Sequence, residues 1–130
     1  EKRELPVFVA EVDGATKYIL PIYGAVLWGP IWGYISLDDN KNTVYGTFFD
    51  HQGETPGLGA EITTPKFNNQ FRNKQIFSGN TLVGIRVVKG GNATGVNEVD
   101  AISGGTITSK GVQSMLKNYL TYYEPFLKQQ

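Results

Sequence analysis

Four hydroxyl side chains and two glycines are concentrated in the segment from Ser103 to Ser109, which reads Ser-Gly-Gly-Thr-Ile-Thr-Ser. An amphipathic pattern begins directly after it, so the segment stands at the expected start of a helix. The first backbone N–H groups of a helix lack partners and carry partial positive charge, and glycines let an anion approach the backbone closely. These residues therefore suit a phosphate group. They suit an ordinary helix cap equally well, because Ser and Thr are common N-caps and glycine is common in turns.

The composition removes several other kinds of site. The 130-residue chain has no cysteine and a single histidine, His51. Disulfides, thiolate catalysis and Cys- or His-rich metal centres are excluded on these grounds, and we predict no metal site. Twelve basic residues balance twelve acidic ones, so the charge gives no support to nucleic acid as a partner. We assign His51 no role, because a lone histidine is more often a surface or hydrogen-bonded residue than a ligand.

Two pairs of antiparallel strands are predicted in the first half of the chain. Segments 7–12 and 16–22 flank Asp13-Gly14, and this dipeptide between apolar runs is a strong hairpin signal. Segments 31–37 and 43–49 are rich in β-branched and aromatic residues and are separated by turn-forming residues. We therefore expect a sheet of about four strands.

Shorter elements are predicted after Pro56. Short helical turns are interrupted at Pro65, and a strand over 81–88 leads into a glycine-rich loop over 89–95. This order of elements predicts one α+β domain over residues 1–130, with a mostly antiparallel sheet and short helices.

A C-terminal amphipathic helix completes the predicted fold. From Ser109 onward, apolar residues recur at three- and four-residue steps. The pattern predicts that Thr108 or Ser109 caps this helix and that Pro125 kinks or ends it. The hydroxyl-rich segment would then lie at the N-terminus of the helix.

The apolar stretch from Tyr18 to Ile35 contains two prolines and three glycines, so it is not expected to form an uninterrupted membrane-spanning helix. The chain begins at Glu1 without an initiating methionine or a signal peptide. We therefore expect a soluble fragment from which an N-terminal part has been removed.

Three segments resemble known flavoproteins. Asp100-Ala-Ile-Ser-Gly-Gly-Thr106 resembles the flavinylation motif of FMN-binding domains, Asp-x-x-Ser/Thr-Gly-Ala-Thr/Ser, with Gly105 in place of the usual alanine. Residues 24–33, Gly-Ala-Val-Leu-Trp-Gly-Pro-Ile-Trp-Gly, resemble a segment of the C subunit of the sodium-translocating NADH:quinone reductase. The loop Glu-Thr-Pro-Gly-Leu-Gly over 54–59 resembles one that this protein shares with the G subunit of the Rnf electron-transport complex. Three motifs in the same order are far more specific than one.

The resemblance implies a covalent cofactor and a set of residues that contact it. FMN would be attached by a phosphoester to the hydroxyl of Thr106, placed there by a magnesium-dependent flavin transferase that uses FAD. Asp100 is expected to tie down the loop or to be read by the transferase, because a carboxylate repels a phosphate. The expected cofactor contacts are Leu27, Trp28, Glu54, Thr55, Gly57, Leu58, Lys89, Ser103, Gly104, Ile107 and Thr108.

The resemblance also implies a function without a substrate site in this chain. We expect an electron-transfer flavoprotein subunit of a membrane-bound sodium-translocating NADH:quinone reductase, contacting other subunits. A removed N-terminal anchor would tether the domain on the periplasmic side of the bacterial inner membrane. An Rnf-type subunit or another FMN-binding redox module is the first alternative. A non-redox binding module, in which the Ser-Gly-Gly-Thr loop only caps a helix, is the second.

Overall fold

A four-stranded antiparallel sheet forms the first half of the molecule and confirms both predicted hairpins. The computed structural model of the protein describes residues 5–26 and 28–129. Each strand pairs with the next along the chain. The turn at Asp13 and Gly14 has positive φ angles of 53° and 80°, as a two-residue hairpin loop requires. The strands are β1 (Phe8–Val12), β2 (Ala15–Val26), β3 (Gly29–Asp38) and β4 (Val44–His51).

One face of this sheet packs against the C-terminal helix α2, Thr106–Leu127. Alternate residues of β3 are buried, as expected for a strand with one face on the core. Gly24 lies under the helix: a Cβ at that position would approach the Met115 Cβ to 2.9 Å. The core is formed by side chains from both elements and includes Leu20, Ile22, Ile31, Ile35, Val112, Met115, Leu116 and Leu120.

The middle of the chain contains short elements. A 3-10 helix (Gly59–Thr63) is followed by helix α1 (Pro65–Asn68) and a 3-10 turn (Asn69–Phe71). Thr64 caps α1, because its Oγ1 accepts a hydrogen bond from the Phe67 N–H at 3.3 Å. Pro65 occupies the first helical position, where its missing N–H costs nothing. The break predicted at Pro65 is therefore the boundary between two helical turns.

The single strand predicted over 81–88 is wrong in detail. Gly84 has a φ of 71° and divides the segment. The first part, β6 (Thr81–Leu82), pairs with β5 (Phe77–Ser78). The second part, β7 (Arg86–Val88), pairs in parallel with β8 (Glu98–Asp100), which the sequence pattern did not reveal. The fold class is confirmed as α+β with a mostly antiparallel sheet, short helices and a C-terminal helix.

The predicted cap of helix α2 is wrong, and Pro125 does not end the helix. The helix begins at Thr106 with Gly105 at the N-cap position, and neither Thr108 nor Ser109 caps it. It also continues through Pro125 to Leu127. A proline this close to the C-terminus removes one backbone hydrogen bond, and the buried side chains of Tyr123 and Leu127 hold the last turns on the core. No helix within residues 5–26 and 28–129 is both long and apolar enough to cross a membrane.

Candidate functional site

A cavity of about 310 Å³ lies where the loop after β4 meets the N-terminus of α2. It contains an apolar part and a polar part, as ligand cavities commonly do. We call it the α2 cavity. It is lined by Trp28, Glu54, Thr55, Leu58, Gly59, Gly104, Gly105, Thr106, Ile107 and Thr108.

The apolar side of the α2 cavity comes from two turns. Trp28 lies at the turn between β2 and β3 and is 63% exposed, so the alternative that it fills the core is wrong. Leu58 is 43% exposed and lies on the opposite turn. The Leu58 N–H donates to the Thr55 carbonyl at 3.0 Å, and Gly57 supplies the positive φ of 80° inside that turn. Exposed Trp and Leu at a cavity mouth provide flat apolar contact area for a ligand.

The polar side is organised around Glu54, a carboxylate that is only 5% exposed. Its Oε1 accepts a hydrogen bond from the Thr108 hydroxyl. Its backbone N–H donates to His51 Nδ1 at 3.1 Å. Within the described part of the chain, Glu54 Oε2 is buried without a hydrogen-bond partner. Such an atom is costly in a folded protein and is commonly completed by a ligand or water.

Gly59 allows this arrangement. A Cβ at Gly59 would lie 2.5 Å from Glu54 Oε1 and would also overlap the Thr108 hydroxyl. The site therefore requires glycine at this position for space rather than for backbone conformation. Gly59 is not among the predicted cofactor contacts, although it is the last residue of the Glu-Thr-Pro-Gly-Leu-Gly motif.

The N-terminus of helix α2 forms the remaining wall. Gly104 has a φ of 74°, and the Gly105 N–H donates to the Ile102 carbonyl at 2.9 Å, which turns the chain into the helix. No side chain caps the helix, and no described group accepts a hydrogen bond from the N–H of Thr106, Ile107 or Thr108. These N–H groups at the start of a 22-residue helix are suited to an anion.

Gly105 is packed against the loop opposite. A Cβ at this position would lie 3.0 Å from the Leu58 carbonyl oxygen and 3.2 Å from the Gly59 nitrogen. The usual alanine of the flavinylation motif would therefore need a shift of a few tenths of an ångström here. The glycine in this sequence matches the close approach of the two loops.

The structure brings together eight of the residues that the sequence analysis selected. Trp28, Glu54, Thr55, Leu58, Gly104, Thr106, Ile107 and Thr108 line the α2 cavity. Gly57 and Ser103 instead line a second cavity, of about 790 Å³. Lys89 is exposed and lines neither cavity. Leu27 lies outside the described residues.

The side chain of Asp100 ties down the glycine-rich loop over residues 89–95, rather than the segment between Asp100 and Thr106. Its Oδ1 accepts a hydrogen bond from the Ala93 N–H at 3.0 Å. Glu98 holds the same glycine-rich loop, because its carboxylate accepts from the N–H groups of Thr94 and Gly95. These backbone hydrogen bonds lower the pKa of the Glu98 carboxyl, with a smaller contribution from Arg86. The two acidic residues of β8 therefore order the loop beside the site.

A family of FMN-binding domains matches residues 27–121 of this chain. The C subunit of the Na(+)-translocating NADH-quinone reductase of Pasteurella multocida is 43% identical over 114 residues, which cover 86% of this chain and 44% of the relative. The Yersinia pestis protein of the same name is 41% identical over 128 residues, covering 94% of this chain and 48% of the relative. The chain thus spans less than half the length of these curated relatives.

Two solved structures have the same fold. The crystal structure of the C subunit from Parabacteroides distasonis superposes with a TM-score of 0.93 at 58% identity, covering 97% of this chain and 64% of that one. The crystal structure of Shewanella oneidensis NqrC superposes with a TM-score of 0.84 at 32% identity, covering 95% of this chain and 61% of that one. Both agree with the fold described above, in which strands β1 to β4 form an antiparallel meander and helix α2 follows at the C-terminus.

Proposed function

Because this chain belongs to the family of FMN-binding domains, we propose that it carries FMN in the α2 cavity, joined by a phosphoester to Thr106. Residues 1–130 would form a single such domain. It serves as the electron-transfer domain of the C subunit in a Na⁺-translocating NADH:quinone reductase. The name of that subunit, carried by the curated relatives and by the solved structures, supports this complex over an Rnf-type one.

One observation carries the proposal: the α2 cavity holds unpartnered groups of both kinds that FMN requires. The unpaired N–H groups at Thr106, Ile107 and Thr108 suit the phosphate. The buried Oε2 of Glu54 is an acceptor without a donor, and an isoalloxazine ring has an N–H to offer. Any helix leaves its first N–H groups without intrahelical partners, so the first feature alone does not require a cofactor, but the helix does not explain the second.

Thr106 is the acceptor of the attachment reaction and takes no part in turnover. Its exposed side chain stands at the first position of α2, where a separate enzyme reaches it. The Thr106 oxygen attacks the FMN phosphorus of FAD, the P–O bond to AMP breaks, and AMP leaves. The hydroxyl proton passes to a base of the transferase. The magnesium ion belongs to the transferase.

The remaining lining residues bind and orient the cofactor. Trp28 and Leu58 provide the apolar walls for the ring, and Glu54 with Thr55 provides polar contacts. The Thr108 hydroxyl is already donated to Glu54, so Thr108 meets the phosphate through its backbone N–H. When bound, FMN supplies a redox centre that accepts and releases electrons. The contacts of all these residues with FMN are predictions, and so are those of Leu27, Gly57, Lys89 and Ser103.

The partners of this domain follow from the same proposal. Electrons pass between its FMN and redox centres in neighbouring subunits, while sodium and quinone chemistry belongs to those subunits. The domain faces the periplasmic side of the membrane and is held there by an N-terminal anchor. The flavin transferase contacts it only for the attachment reaction.

Mass spectrometry of the intact chain tests the proposal. Chain produced with a flavin transferase and FAD should gain the mass of one FMN less one water, and chain produced without the transferase should not. Thr106→Ala should abolish the gain. Thr106→Ser should retain it, because a serine hydroxyl offers the same nucleophile.

Two results would overturn the attachment site. The first is a wild-type chain that stays unmodified although the same transferase modifies a known acceptor in the same reaction. The second is a mass increment that persists in the Thr106→Ala chain. The latter would move the flavin to another residue, and peptide mapping would identify it.

A further inference from the structure

The side chain of Gln70 contacts the backbone of the segment that leads to Thr106. Gln70 Nε2 donates to the Asp100 carbonyl at 3.1 Å, and the Asp100 N–H donates to Gln70 Oε1 at 2.7 Å. The two contacts are made by one planar amide. Gln70 is thirty residues away from Asp100 in sequence and lies outside the flavinylation motif.

This amide pairs with a free strand edge. Strand β8 pairs with β7 on one side, where the Ala101 N–H donates to the Val88 carbonyl at 2.7 Å. The N–H and carbonyl of Asp100 point to the other side, as those of alternate residues in a strand do. The Gln70 amide satisfies both groups, as a neighbouring strand would.

Gln70 itself is held on a rigid support. It lies in the 3-10 turn Asn69–Phe71, and the next residue, Phe71, is fully buried. The Phe71 ring packs edge-on against Phe49 and Phe67, each at a centroid distance of 5.2 Å. An amide on a support of this kind fixes the position of the backbone that it contacts.

A second contact fixes the other end of the segment. Ser109 is fully buried, and its hydroxyl donates to the Gly105 carbonyl at 2.8 Å while accepting from the Ile102 N–H at 3.0 Å. Residues 102–105 are thereby closed into a loop. The approach to this loop from β8 is held on one side by the hydrogen bond from the Ala101 N–H to the Val88 carbonyl and on the other side by Gln70.

We propose that Gln70 is a positioning residue for the covalent modification of Thr106: its amide clamps Asp100 and so holds the acceptor loop in the form that the flavin transferase binds. This inference rests on the proposed function. It concerns how well the acceptor is presented, not the chemistry at the Thr106 oxygen. If the presenting conformation becomes less populated, the apparent affinity of the transferase for the chain falls in proportion.

The test is a steady-state measurement with the whole chain as the varied substrate of the transferase at saturating FAD. Gln70→Met keeps the size of the side chain and removes both hydrogen bonds. We expect its KM to rise about tenfold while kcat stays within about twofold. Gln70→Glu keeps the acceptor for the Asp100 N–H and loses the donor. The KM of the transferase for this variant should therefore lie between the values for the wild type and for Gln70→Met. Hydrogen exchange of the Asp100 amide should quicken in Gln70→Met.

Gln113→Met is the matched control. Gln113 Oε1 accepts from the Val87 N–H at 2.7 Å and so ties α2 to β7 without touching the acceptor loop. Its KM should equal that of the wild type. An equal rise in KM for Gln113→Met, an unchanged KM for Gln70→Met, or a loss confined to kcat would each overturn the role of Gln70. A wild-type chain that is never modified would instead overturn the proposed function.

Discussion

The hydrogen bond between Thr108 and Glu54 should be a measurable contributor to stability. Thr108→Val preserves the shape of the side chain and removes the hydroxyl that donates to Glu54 Oε1. The residue Glu54 is 5% exposed, and its Oε2 has no hydrogen-bond partner within the described part of the chain. The substitution therefore leaves the whole carboxylate without a described side-chain donor. Hydrogen bonds to charged groups contribute about 1.5–3 kcal/mol, and we expect a loss of about 2 kcal/mol.

The expected change in melting temperature follows from the size of the chain. Unfolding entropy near the midpoint is about 2.1 cal/mol/K per residue, or about 270 cal/mol/K for 130 residues. A loss of about 2 kcal/mol then lowers Tm by about 7 °C. Calorimetry or circular dichroism on chain produced without the transferase measures this directly, because no cofactor then contributes to stability.

A double-mutant cycle isolates the interaction energy between Thr108 and Glu54 from the other effects of each substitution. Thr108→Ser keeps the donor and should stay within about 1 kcal/mol of the wild type. Thr108→Val combined with Glu54→Leu removes both polar partners, so the double variant should be more stable than the sum of the single effects predicts. The expected coupling is about 1–2 kcal/mol. Additive single effects, or a Thr108→Val chain that melts with the wild type, would refute the reasoning.

Two further predictions concern the fold. Gly33→Ala should lower the free energy of unfolding, measured in urea, by about 3 kcal/mol or more, because a Cβ there would overlap the carbonyl oxygen of Phe48. Gly46→Ala is the control: its Cβ would meet only the Ser36 Oγ at 3.7 Å, so the loss should be about 1 kcal/mol or less. Equal losses for the two variants would contradict the steric argument. Burial raises the pKa of Tyr123 to about 12. In the unfolded chain the Tyr123 hydroxyl loses its proton near pH 10. The free energy of unfolding should therefore fall by about 2 kcal/mol between pH 10 and 12, and the fall should be smaller in Tyr123→Phe.

The first half of the fold was predictable because its turns are local. Asp13-Gly14 specifies a hairpin by its own backbone preferences, and alternation of buried residues identifies the face of β3. The parallel pairing of β7 with β8 was not predictable. It depends on a loop of nine residues held by Asp100 and Glu98, and neither contact has a sequence pattern of its own.

The residues that line the site were more predictable than the hydrogen bonds that hold them in place. Eight selected residues line the α2 cavity, since the resemblance had already grouped their segments. The start of α2 was misplaced because Ser109 and Thr108 are good caps in isolation. In the fold their hydroxyls are used elsewhere, Ser109 on the Gly105 carbonyl and Thr108 on Glu54. Gln70 carries no signal in sequence, since its importance depends on a tertiary contact with Asp100.

The distance along the chain between the two halves of the α2 cavity bears on the order of events during synthesis. The meander joins neighbouring strands only, whereas Glu54 and Thr108 are separated by 54 residues. Contacts between sequence neighbours form early in folding, and contacts across long loops form late. We therefore expect the cavity to be completed only after α2 has left the ribosome and docked on the sheet. A transferase that requires the folded loop before Thr106 would then distinguish folded chains from unfolded ones, so that flavin would be attached only to chains that have folded.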